Sequence, residues 1–81
     1  MRIDELKRIA EENDYGYFGV KGGCFDFRRE RDGALISISV SELNRILFLD
    51  SDWCEDTDFK MLKAAIEFAE TPISERGIYE D

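Results

Sequence analysis

The chain has 81 residues, with 11 Lys and Arg against 19 Asp and Glu, a net charge of -8 and no histidine. That length makes one domain with a thin core, and the charge sign opposes non-specific binding to nucleic acid or attraction to an anionic membrane. Cys24 and Cys54 lie far apart and outside any Cys-x-x-Cys pair, so zinc sites and histidine-based acid/base chemistry are excluded in their usual forms.

The opening "IDELKRIAEEN" places Ile3, Leu6, Ile9 and Ala10 at helical spacing, with Asp4 and Glu5 in the first turn where the macrodipole favours anions. It predicts an amphipathic helix, broken by Asn13, Asp14 and Gly16. "YGYFGVKGG" sets aromatic and branched residues between glycines, a strand composition with local kinks, and Gly22 and Gly23 make a turn. "CFDFRRE" alternates Phe25 and Phe27 against Asp26 and Arg28, as a half-buried strand requires. Asp32 and Gly33 supply a hairpin turn, since Asp-Gly tolerates positive backbone angles.

"ALISISV" is the clearest strand, with Ile36, Ile38 and Val40 inward and Ser37 and Ser39 outward. "ILFLD", residues 46–50, reads as a short edge strand, an extended return along the sheet being the alternative. "DTDFKMLKAAIEFAE" then carries Phe59, Leu62, Ile66 and Ala69 on one stripe, widened by Met61, Ala65 and Phe68, which predicts the longest helix. Pro72 stops it by restricting Thr71. The fold expected is α+β in the order α-β-β-β-(β)-α, an antiparallel sheet of three or four strands with both helices on one face. It occupies residues 1–72, followed by a loosely packed polar tail, 73–81, with Ile73, Ile78 and Tyr79 as its anchors.

Chemistry concentrates in "DSDWCEDTDF", where Asp50, Asp52, Glu55, Asp56 and Asp58 surround Trp53 and Cys54 without a base among them. A calcium loop starting at Asp50 fails at its diagnostic places, with Glu55 where the turn needs glycine and Met61 where a bidentate glutamate belongs. The local role expected is a helix start, with the acids in or beside the first turn. That role needs fewer carboxylates than the stretch holds, and the surplus sets up a field that a partner can use. Trp53 is either a core or boundary residue or an exposed anchor flanked by acids, a combination that marks binding hot spots; its burial decides.

No triad, phosphate loop or metal set can be drawn, so catalytic residues, cofactors and metals are not expected. Cys54 has no basic partner nearby to activate it as a nucleophile. Both thiols are expected to be free and buried, as isolated cysteines usually are. The basic cluster "RRER", Arg28 to Arg31, should pair within the molecule with the acidic surplus.

The blocks "MRIDELKRIAEEN" and "DFKMLKAAIEFAETPISER", about half the chain, resemble small acidic proteins of phages and prophages of Gram-positive bacteria. Accessory proteins of that kind include inhibitors that mimic DNA, among them type II anti-CRISPR proteins and the uracil-DNA glycosylase inhibitor. One anti-CRISPR protein is similar in organisation, with an opening helix, a three-stranded sheet and carboxylate-rich helical parts. The resemblance implies a non-catalytic inhibitor that docks carboxylates on a basic, DNA-reading partner, such as a Cas9-type nuclease, without itself binding nucleic acid. Asp50, Asp52, Trp53, Glu55, Asp56 and Asp58 are the expected partner-binding residues. The alternative is an accessory or assembly protein without inhibitor activity, homodimeric through a sheet edge. No apolar run is long enough to span a bilayer and the charged opening lacks a signal-peptide core, so a soluble protein of the host cytoplasm is expected.

Overall fold

A computed structural model describes residues 1–50 and 52–78. In chain order the elements are α1 (Ile3–Glu12), β1 (Gly16–Lys21), β2 (Cys24–Arg29), β3 (Ala34–Ser39), β4 (Ile46–Leu49), α2 (Asp56–Glu70) and a short 3-10 turn (Ile73–Glu75). The four strands form an antiparallel meander in sequence order, so β1 and β4 are the two edges. The expected α+β arrangement is therefore present, and its fourth strand is a true edge strand.

Local chemistry explains the turns. Gly22 and Gly23 join paired Lys21 and Cys24 with φ of 59° and 77°, the mirror-image hairpin turn that matches strand twist and that residues with a Cβ adopt poorly. The β2–β3 loop is longer than a two-residue turn, running from Arg29 to its partner Ala34. Gly33 closes it by donating its backbone N–H to the Arg29 carbonyl at 2.9 Å.

Period-2 alternation then fixes the faces. Phe25 pairs with Ile38 and Phe27 with Ile36 across β2 and β3, and Ile46 and Phe48 of β4 pair with Ile38 and Ile36 on the same side. The helices cover this face with Leu6 and Ala10 of α1 and Met61, Ala65 and Phe68 of α2, all fully buried. Phe68 meets Phe25 edge to face at 5.8 Å, the arrangement that aromatic quadrupoles favour.

Three expectations are corrected. The buried stripe of α2 is Asp58, Met61, Ala64, Ala65, Phe68 and Ala69, while Phe59 and Ile66 are about half exposed. Hydropathy alone centres the stripe elsewhere; the ion pair of Asp58 with Arg29, described below, puts Asp58 on the buried side in place of Phe59. Ser37 and Ser39 are buried although they face away from the helices. Both are small residues on an inner strand, and each is satisfied locally: Ser37 donates to Asp26 at 2.7 Å and Ser39 Oγ accepts the Glu42 N–H at 3.0 Å.

The third correction is the tail, which is packed over residues 73–78. Arg76 is fully buried and donates to the carbonyls of Thr71, Ser39 and Ala69 at 2.9 to 3.0 Å, with its guanidinium 4.7 Å from the Phe68 ring centroid. Its own carbonyl accepts the Ile3 N–H at 2.7 Å. The last turn of α2 contains no base, and Arg76 folds back to supply the cation that the carbonyl end of a helix favours. Tyr79, the outermost expected anchor, lies outside the described residues.

Arg76→Met keeps much of the side-chain bulk and removes the donors to all three carbonyls. Urea denaturation should show a loss of about 2 to 4 kcal/mol, the scale of several buried acceptors left unpaired. A loss below about 0.5 kcal/mol, typical of a surface site, would show that the segment does not belong to the folded unit.

Candidate partner-binding site

Strand periodicity places Arg29 on the same inward face as Phe25 and Phe27, where an unpaired guanidinium would be costly. The fold answers with carboxylates from three directions. Arg29 Nη1 donates to Asp58 Oδ1 at 2.5 Å and Nη2 to Asp58 Oδ2 at 3.3 Å. Its Nε and Nη2 reach Asp32 of the β2–β3 loop at 2.7 to 3.1 Å. Asp50, just past β4, brings Oδ2 within 3.8 Å of Nη2. The side chains of Arg29 and Asp58 are 2% and 1% exposed, so this pair is interior.

Asp58 is the more heavily used partner. Oδ1 also accepts the Tyr15 hydroxyl at 2.6 Å, and Oδ2 accepts the backbone N–H of Glu55 at 2.8 Å. The latter bond caps α2, whose N-cap is Glu55, and meets one of the donors that a helix start leaves free. Burial pushes the Asp58 carboxyl up, but the Glu55 N–H, the Tyr15 hydroxyl and Arg29 together hold it below its ordinary 3.8. Tyr15 moves the opposite way, raised by burial and then by its hydrogen bond to the Asp58 carboxylate. Arg29 is raised by its hydrogen bonds to Asp32, opposed by burial and supported again by Asp58.

This network sorts the six residues that the sequence singles out. Asp58 and the side chain of Asp50 point inward. Asp52, Trp53, Glu55 and Asp56 are exposed, and Trp53 is 92% so, which rules out the core or boundary residue. Asp50 Oδ1 accepts the Asp52 N–H at 3.1 Å, so an inward carboxylate also shapes the loop that presents the outward ones. Glu55 meets Arg31 at 2.7 Å on the surface, and Arg28 lies 3.7 Å from Asp26, so the basic cluster pairs internally as expected.

Cys54 is exposed and free, and Cys24 is half-buried and free, so the expectation of two buried thiols fails at Cys54. Its thiol and one oxygen each from Asp50 and Asp58 lie within 4.8 Å of one another. The group nevertheless does not fit a metal. Each Asp58 oxygen already accepts two donors, which exhausts its lone pairs, and the local cation is the Arg29 guanidinium.

Sequence reasoning missed Tyr15, Arg29 and Asp32 as determinants of the site. One signal was present: an arginine at an inward position of an alternating strand calls for a buried acid. No protein-family model, curated protein or solved structure matches the chain, so geometry carries the functional argument.

Because the carboxyl of Asp58 is depressed in the folded protein, its stabilisation is complete above the unfolded value, near 3.9, and is lost as pH falls through the folded one. Asp58→Asn should lower stability at pH 7 by about 3 to 5 kcal/mol, the usual cost of breaking a buried pair from one side. It should also flatten the acid limb of the stability curve below about pH 4. An acid limb as steep as in the parent protein would assign the pH dependence to other groups.

Proposed function

We propose that the chain is a non-catalytic binding protein that docks the exposed loop of Asp52, Trp53, Glu55 and Asp56 on a basic protein surface. The observation that carries this reading is the 92% exposure of Trp53 between exposed carboxylates, at a site whose base is held by a buried ion pair. A free tryptophan is costly to leave in water and makes a large, rigid anchor when a partner covers it. Carboxylates around it steer a basic partner and exclude an acidic one.

The partner class in this proposal is a DNA-reading protein, whose arginines and lysines normally meet phosphates or base edges. The loop competes for those cations, so the chain acts as an inhibitor of the anti-CRISPR or glycosylase-inhibitor kind. Nothing in the reading needs a cofactor, and the buried carboxylate network is occupied by Arg29 and Tyr15. An accessory role without inhibition is the second reading, favoured by the apolar edge treated below.

The test is a cleavage assay with an RNA-guided nuclease and a hydrolysis assay with uracil-DNA glycosylase, each titrated with the chain and with its Trp53→Ala and Asp52→Lys/Asp56→Lys variants. Inhibition by the parent should weaken at least tenfold in either variant and should fall as salt rises, because exposed charge pairs are screened over about 8 Å at physiological ionic strength. Absence of inhibition at micromolar concentration in both assays would reject the DNA-reading partner. Inhibition that survives both variants would reject the loop.

A further inference from the structure

Of the nine large hydrophobic residues exposed among the described residues, four belong to β4 and α2. Leu47 and Leu49 of β4 are 50% and 52% exposed, and Phe59 and Ile66 of α2 are 52% and 45%. Register puts Leu47 and Leu49 on the face of the sheet that no described helix covers, beside Leu35, which pairs with Leu49. Phe59 and Ile66, seven residues apart, lie on one stripe of α2. Ile66 shares with Ile46 of β4 an open groove of about 440 Å³, also lined by Asn44, Ala69 and Glu70. The stripe, the groove and the unpaired backbone of β4 therefore belong to one edge.

We propose that this edge pairs with a second copy of the chain through antiparallel β4 strands. An edge strand offers unpaired N–H and C=O groups, and a second copy of the same strand is their complement. A two-fold axis normal to the sheet makes the pairing antiparallel and keeps the faces matched, with helices on one side and leucines on the other. Centred on Phe48, it sets Leu47 against Leu49 of the copy and α2 alongside its counterpart. The shared sheet then has eight strands, with apolar residues continuous across the seam on both faces.

Three features select a second copy over the basic partner of the acidic loop. First, the strand Ile46–Leu49 is free of carboxylates although the whole chain carries a net charge of -8, so this edge suits an apolar partner, and the strand itself adds no like-charge contact to the repulsion between two acidic chains. Second, exposed Arg45 precedes the strand and exposed Asp52 follows it, so antiparallel pairing brings Arg45 of one copy toward Asp52 of the other, while Asp50 stays turned inward on Arg29. Third, the four half-exposed side chains offer on the order of 400 Å² of apolar surface. With the strand backbone and rim added, that approaches the roughly 800 Å² a side of a specific interface.

The test is solution mass by light scattering and sedimentation at 1 to 200 µM on the order of ordinary dimer affinities, in low and high salt. The expected result is twice the chain mass, with dissociation at least tenfold tighter in high salt, since screening relieves repulsion between two acidic chains. Leu47→Lys/Leu49→Lys and, separately, Phe59→Lys should each give monomers with unchanged circular dichroism. A monomer throughout, or a dimer that both variants leave intact, overturns the proposal. Salt and sites keep it separate from the loop reading: inhibition weakens with salt and needs Trp53, whereas self-pairing strengthens with salt and needs Leu47 and Leu49.

Discussion

The structure depends on one buried charge. Arg29 occupies an inward position of β2, and every element around it answers that guanidinium: Asp58 from the first turn of α2, Asp32 from the β2–β3 loop and Asp50 from the end of β4. Burial of an ion costs several kcal/mol even after relaxation, and its partner returns that only when geometry and hydrogen bonds are good. Here Asp58 accepts from the Tyr15 hydroxyl and the Glu55 N–H as well as from Arg29. The pair therefore contributes less to net stability than to uniqueness, because a helix rotated by one residue would leave both charges inside without partners.

That uniqueness reaches the surface through a short path. Asp58 caps α2 through Glu55, and the side chain of Asp50 turns inward while accepting the Asp52 N–H. Between these two anchors Asp52, Trp53 and Cys54 are exposed, so the inward acids and the outward tryptophan share one short stretch of chain. The second buried arginine, Arg76, solves a different problem without any acid: it satisfies carbonyls at the end of α2 and on β3, and burial alone pulls its pKa down.

Much of the fold was legible because periodicity reports burial directly. The extents of α1 and α2, the alternation on β2 and β3 and the glycine turn at 22 and 23 all follow from spacing and backbone permissiveness. The rotation of α2 was not legible, since hydropathy ranks Phe59 and Ile66 above Asp58, and only a distant arginine reverses the order. The division of the acidic stretch was hidden for the same reason: five carboxylates look alike in sequence, and which of them turn inward is decided by residues 15, 29 and 32. The packed tail was obscured because a polar segment reads as solvated until the helix end it caps is in view.

The two unpartnered surfaces are contiguous in sequence but opposite in chemistry. Residues 46 to 49 are apolar and end a sheet; residues 50 to 58 are acidic and begin a helix. Pairing two β4 strands about Phe48 would place the two Trp53 loops at opposite ends of the shared edge, no more than about 34 Å apart, ten residue steps at about 3.4 Å each. Two anchors at that spacing give a bivalent surface, and bivalency multiplies weak contacts without adding new ones, provided that the partner's sites match the span. A chain of this size has little surface to give to any one contact, so doubling a small loop by symmetry is an efficient route to tight binding, and the proposed pairing of the short apolar edge would supply that symmetry.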